Sequence, residues 1–191
     1  MLTGPGRLPQ AAGGRLINVY PEKLPATAGK PYDEGGLLAG SGTVDKTLLE
    51  ILNALPYYSQ PYPKSLANEF GTDTVLPLIQ SAGLSAEDAL RTYVEHIVHQ
   101  VTRAVGEGSH KMLVTGGGAH NSFLIGRLRT ALLSAGVELV VPEAELVDYK
   151  EALVMALIGV LRWREENNVL ASVTGAARDS IGGAVWIGQE V

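Results

Sequence analysis

Cysteine is absent from all 191 residues, which removes disulfides, thiolate nucleophiles, iron–sulfur clusters and Cys-based zinc sites together and suits a reducing compartment. An excess of positive charge is missing too. Fifteen Lys and Arg against twenty Asp and Glu give a net charge of −5, the wrong sign for a protein that holds nucleic acid by neutralising phosphates. No run approaches the ~20 apolar residues that span a bilayer, and the first residues lack the charged-then-apolar order of a secretion signal. A cytoplasmic protein with neither nucleic-acid nor membrane partners is therefore expected. Long polar and low-complexity tracts are also missing. Hydrophobic residues make up 46% of the chain and charged ones 18%, so most of it should fold, at a size suited to one domain or one lobe of a larger enzyme.

Glycine and proline crowd residues 1–31, where only residues 15–20 look extended, so irregular structure is expected there. Asp45 can cap a helix carrying Leu48, Leu49, Ile51, Leu52 and Leu55, which Pro56 closes. A Tyr- and Pro-rich loop over residues 56–63 leads to Lys64-Ser65, a short helix before Gly71 and one or two more helical turns over residues 75–81. The clearest helix opens at Ser85 and ends at Gly106. Its Leu90, Val94, Ile97, Val98, Val101 and Val105 recur at intervals of three and four, which makes one buried stripe. Residues 112–115 read as a strand entering three glycines, residues 121–135 as a helix and residues 137–141 as the next strand. A helix over residues 150–164 is apolar nearly all round, which predicts burial between layers, and residues 182–188 predict a closing strand or strand-like tail. Strands alternating with helices argue an α/β class, helix-rich with a short-stranded sheet.

The central feature is Leu113-Val114-Thr115-Gly116-Gly117-Gly118-Ala119-His120-Asn121. Glycines lack Cβ and tolerate positive φ, so a ligand can approach the main chain, while the helix start beyond offers free amides to phosphates or a nucleotide. The same glycines also suit a tight turn without any ligand. Neither the Gly-x-Gly-x-x-Gly fingerprint nor the Gly-x-x-x-x-Gly-Lys-Ser/Thr loop is present. His96 and His99 share one helix face at a spacing open to a metal, but Glu95 is the only other ligand type nearby in sequence, and a polar or partly buried face explains the pair. His120 sits inside the glycine turn, where it can lie near a ligand, but reads first as a solvated turn histidine. Asp148-Tyr149-Lys150-Glu151-Ala152 falls at the predicted start of an apolar helix, where a carboxylate can bind a sugar hydroxyl, orient a proton transfer or simply cap the helix. Lys64 can pair with a phosphate or stand in solvent.

Pro63-Lys64-Ser65, Val114 to Asn121, Lys150-Glu151-Ala152 and Val173-Thr174-Gly175-Ala176 occur in an order and spacing that resemble the C-terminal half of anhydro-N-acetylmuramic acid kinases, over residues 32–188. The resemblance implies a ribonuclease-H-like lobe of the fold shared by sugar kinases, actin and heat-shock chaperone ATPases. Residues 1–31 would be an irregular segment and residues 32–191 a nucleotide-binding lobe. It implies ATP with Mg²⁺ as cofactors, the adenosine side of the nucleotide site at Gly116, Gly117, Gly118 and Asn121, and a sugar-facing Glu151. The family uses ATP and water to turn 1,6-anhydro-N-acetylmuramic acid from recycled cell wall into N-acetylmuramic acid 6-phosphate.

Thr3-Gly4-Pro5-Gly6 resembles the end of the family's Asp-Thr-Gly-Pro-Gly-Asn motif, but Leu2 stands where the family has its water-activating aspartate, and leucine cannot take a proton. Half of the family's cleft lies outside the resemblance. The chain is therefore expected to be a fragment or rearranged product that holds part of a nucleotide and does not catalyse alone; amino sugar would bind only with the missing lobe supplied. Two other classes stay open. One is a non-catalytic module that self-associates as a homo-oligomer, and the other a Rossmann-like cofactor enzyme built on the glycine turn.

Overall fold

The computed structural model describes residues 32–61, 69–186 and 188, arranged in two compact units, Met1–Glu143 and Ala144–Val191. In the first unit, α1 (Leu37–Ser41) and α2 (Lys46–Asn53) precede a 3-10 turn at Pro56–Ser59. A π-helical turn, Phe70–Val75, runs into α3 (Leu76–Ser81), then comes α4 (Ala86–Val105). The unit closes with β1 (His110–Leu113), a 3-10 turn at Gly117–His120, α5 (Ser122–Ser134) and β2 (Val137–Val140).

The helix ends follow local chemistry. The Asp45 carboxylate accepts from the Leu48 amide at 2.7 Å and Ser85 Oγ from the Asp88 amide at 3.1 Å, each satisfying a donor that the first helical turn leaves orphaned. Gly106, at φ +72°, ends α4 as the sequence predicts. That helix is the hub. Its Ala89, Leu90, Val94 and Val98 are buried against Leu48 and Leu52 of α2, Ile79 of α3 and Leu124, Ile125, Leu128 and Leu132 of α5. Val101 and Val105 of the predicted stripe are only partly covered. Gly42 brings the end of α1 so near the start of α4 that a Cβ there would overlap the Glu87 carbonyl, and Asp88 Oδ1 accepts from both the amide (2.7 Å) and the hydroxyl (2.9 Å) of Thr43. These two hydrogen bonds hold the Asp88 carboxyl below its ordinary pKa.

β1 and β2 are parallel, with His110 opposite Val137 and Met112 opposite Leu139, and α5 makes the crossover that parallel pairing requires. Met112, Val137 and Leu139 face the core. The class is thus α/β, helix-rich, with one short parallel ribbon among the described residues.

In the second unit, α6 (Ala144–Trp163) is followed by α7 (Ala171–Thr174) and a single antiparallel bridge between Val169 and Ser180. Asn168 ties this unit together, donating to the carbonyls of Ile158 (3.3 Å) and Gly182 (3.2 Å) and accepting from the Gly182 amide at 2.6 Å. Two expectations fail here. The helix predicted over residues 150–164 starts at Ala144, because Pro142 supplies the boundary and no breaker follows it. Nor is it buried between layers: among its large side chains Leu153 is 59% exposed and Trp163 71%, with only Val147 buried. Periodicity reports which faces are apolar, not whether another element covers them. No strand forms among the described residues of 182–188; Gly182 instead bonds Asn168.

Candidate functional site

The glycine bend is where the ribbon hands the chain to α5. After β1, the Val114 amide donates to the Val140 carbonyl at 2.9 Å, which carries the parallel pairing one residue past the strand. Gly116 then takes φ +79°, a conformation L side chains disfavour, while an added Cβ would meet nothing within 4 Å. Glycine is therefore required at this position by conformation rather than crowding, and the main chain at Gly116 borders open space. The Ala119 amide closes the turn on the Gly116 carbonyl at 2.8 Å, and the Asn121 amide on that of Gly118 at 3.2 Å.

Asn121 ends the bend as the N-cap of α5. Its Oδ1 accepts from the Leu124 amide at 2.9 Å, and the residue is only 7% exposed. Its Nδ2 is buried without a hydrogen-bond partner among the described residues. Against Asn121 lies Gly36, at φ +77°, where a Cβ would overlap both Asn121 Oδ1 and Phe123 Cβ. Ser122 Oγ fastens the same segment by donating to the Gly35 carbonyl at 3.0 Å. Asp33 sets the far side of that turn: it is buried, with its two oxygens accepting from the amides of Leu38 (2.9 Å) and Ala39 (3.0 Å). Sequence reasoning missed Asp33, Gly35 and Gly36 as supports of the bend. The Asp-Glu-Gly-Gly run ahead of an apolar helix was the available signal.

Behind the bend, Glu95 receives Arg127 through two bonds, Nε to Oε1 at 2.7 Å and Nη2 to Oε2 at 2.9 Å, and Arg91 Nε at 3.2 Å. Hydrogen bonding to Glu95 raises the Arg127 pKa further above its ordinary value. The Arg91 guanidinium lies 5.1 Å from the centre of the Phe123 ring, so the cation–π contact ties α4 to the first turn of α5. A groove of 610 Å³ between α2, α4 and α5 has Glu95, His99, Arg103 and Arg127 among its lining, but no residue of the glycine bend.

Both ring nitrogens of His96 are engaged within the first unit. His96 is buried, its Nδ1 lying 2.8 Å from Asn53 Oδ1 and its Nε2 2.8 Å from the Tyr58 hydroxyl, while Gln100 Nε2 also donates to Asn53 Oδ1 at 2.9 Å. An amide oxygen only accepts, so Nδ1 carries the proton and Nε2 accepts from Tyr58. Burial, reinforced by the neighbouring His99, pushes the His96 pKa down to about 4. His99 and His120 are exposed, and no group of three or more His, Asp or Glu among the described residues is placed to hold a metal ion.

The predicted site residues divide between the units. Gly116, Gly117, Gly118 and Asn121 form one continuous bend in the first. Glu151 belongs to the second, exposed on α6, and the predicted cluster around it does not start the helix: Glu145 occupies the first turn instead. Leu2, residues 3–6, residues 15–20 and Pro63-Lys64-Ser65 lie outside the described residues.

The family model for anhydro-N-acetylmuramic acid kinase matches residues 16–188. This chain belongs to that family. Curated relatives named anhydro-N-acetylmuramic acid kinase include one from Xanthomonas oryzae pv. oryzae (strain MAFF 311018), 37% identical over 164 residues, covering 83% of this chain and 43% of the relative. One from Gloeobacter violaceus is 38% identical over 157 residues (78% and 41%), and one from Burkholderia lata 34% identical over 167 (83% and 44%). The chain thus spans less than half the length of these anhydro-N-acetylmuramic acid kinases. No helix among its described residues is long and apolar enough to cross a membrane.

Proposed function

We propose that this chain supplies the nucleotide-holding part of an ATP-dependent anhydro-N-acetylmuramic acid kinase, as one ribonuclease-H-like lobe of the sugar-kinase and actin fold. The observation that carries the reading is the bend at Gly116: its main chain is held at positive φ with open space where a side chain would stand, just ahead of a 13-residue helix whose amino end carries partial positive charge. An adenosine moiety would lie against Gly116, Gly117 and Gly118. Asn121, being buried and occupied as the cap of α5, holds the bend rather than touching the nucleotide, so it is a positioning residue. Asp33, Gly36 and Ser122 support it from the other side.

When bound, ATP with its Mg²⁺ would supply the phosphoryl group and the charge that balances it. This chain's own part would be to fix the nucleotide through main-chain amides. Glu151 would meet the amino sugar, 1,6-anhydro-N-acetylmuramic acid, where the rest of the kinase completes the cleft. Phosphorylation by the isolated chain is not expected. By the resemblance of residues 3–6 to the family's motif, Leu2 stands in place of its water-activating aspartate, and reactant alignment worth roughly 7–11 kcal/mol of the barrier depends on both walls of a cleft. Titration with Mg-ATP, followed by amide NMR, tests the reading: the resonances of Gly116, Gly117 and Gly118 shift while those of the buried helices stay in place. Three unmoved glycine amides at millimolar ATP overturn it.

A further inference from the structure

We propose that Glu95 is a positioning residue for the glycine bend: it fixes the rotation of α5, and so the presentation of the Gly116–Gly118 main chain to a nucleotide, a consequence that rests on the reading above. Arg91 and Glu95 stand one turn apart on α4, as Phe123 and Arg127 do on α5. Two rungs join these pairs. The Arg91 guanidinium lies 5.1 Å from the centre of the Phe123 ring, and Glu95 receives Nε and Nη2 of Arg127 at 2.7 and 2.9 Å. Along α4 the frame is closed by Arg91 Nε, 3.2 Å from the same Glu95 oxygen that accepts from Arg127 Nε. Glu95 thus serves both rungs, binding one cation of the frame directly and holding the other beside the ring.

The frame does what apolar packing does not. Leu124, Ile125, Leu128 and Leu132 bury α5 in the core, but apolar contacts are non-directional and accept a small rotation. A two-pronged carboxylate–guanidinium bond is directional, and contacts at two successive turns stop a helix from pivoting where one contact would not. The Glu95 side chain is 13% exposed, against 23% for Arg91 and 40% for Arg127, so the carboxylate is better shielded than in the loose surface pairs that contribute little. Rotation of α5 reaches the bend through the chain itself, since Asn121 ends the one and caps the other. It also moves Phe123, which is closely fitted to α1: a Cβ at Gly36 would overlap Phe123 Cβ, and one at Gly40 would stand 3.4 Å from the ring. Glu95 and Arg127 line a groove that no residue of the bend borders, so their effect on a nucleotide runs through α5 and not through contact.

Amide NMR of the full chain, without and with Mg-ATP, provides the test. Glu95→Gln keeps the length of the side chain and removes its charge. It is expected to move the ligand-free amide resonances of Gly116, Gly117 and Gly118 and to weaken Mg-ATP binding by about 2- to 30-fold, the span of coupling that such networks carry. Arg127→Lys keeps the charge, loses the fork and acts in the same direction, and combining it with Glu95→Gln adds nothing to Glu95→Gln alone, because both remove one contact. Asp88→Asn is the control for general destabilisation: it disturbs the Thr43 contact at the start of α4 and leaves the bend amides and the ATP affinity at their wild-type values. Bend amides that stay in place in either Glu95→Gln or Arg127→Lys overturn the proposal. So do additive effects in the double variant, equal effects from Asp88→Asn, or an unchanged affinity for ATP in variants whose bend has moved. The two readings fail separately: wild-type glycine amides that ignore ATP sink the nucleotide site, while the ligand-free shifts still decide whether Glu95 sets the bend.

Discussion

The two long helices of this chain, α4 and α6, are both 20 residues and both rich in apolar side chains, yet they live in opposite environments. On α4 the apolar residues occupy one side, Glu87, Asp88 and Arg103 sit near the ends that suit their charge, and ten residues are buried. On α6 the apolar residues go nearly all round and one residue is buried. The amphipathic pattern of α4 matches the number of neighbours it has; the pattern of α6 exceeds it. Patterned hydrophobicity on α4 marks the core of the first unit, whereas the all-round apolar surface of α6 marks no such core within the second.

Truncation breaks the comparison most sharply. Leu90→Ala in α4 is expected to cost about 2–5 kcal/mol, because the cavity is walled by helices on several sides, while Met155→Ala in α6 stays within about 0.5 kcal/mol. Urea denaturation of both variants checks the contrast, and comparable losses would erase it. Acid acts next, and on the α4 side. Unfolded, His96 binds its proton near pH 6.5; folded, it does so only near pH 4, so the native state is fully favoured above pH 6.5 and loses roughly 3 kcal/mol as pH falls through that window. His96→Gln should flatten the stability curve between pH 4 and 6.5, which chemical denaturation at stepped pH would register. The smallest effect is local. Asp45→Ala removes the cap of α2 and should cost about 1 kcal/mol, with Asp45→Asn recovering most of it; equal loss in both variants would assign the role to charge instead.

Much of the first unit was legible because each element carries its own punctuation. Asp45 and Ser85 act as the caps their side chains allow, and Gly106 stops α4 where expected; the capping role of Asn121 shows only in the structure. The glycine bend was legible for the same reason, since three consecutive glycines between a strand and a helix leave few alternatives. Its supports were not. Asp33 and Gly36 are local in sequence to α1 but act on α5, and such pairing is set by packing that no window of sequence contains. The apolar run that marks α6 in the sequence is densest from residue 150, whereas the helix begins at Ala144, just past Pro142. The His96–Asn53–Tyr58 network was legible only as a partly buried histidine, since its partners come from α2 and the 3-10 turn after it, some 40 residues earlier.

The hydrogen bond from Ser122 to Gly35 joins positions 87 apart, and it has a consequence for synthesis. A ribosome adding roughly 5–20 residues per second releases Gly35 and Gly36 several seconds or more before Ser122 follows. During that interval the Asp33 turn has no α5 to dock on, and α4, made in between, must wait with one flank uncovered. The bend therefore takes its shape late, once α5 has been made, and a substitution at Gly36 would delay that step as well as crowd Asn121 once it is complete.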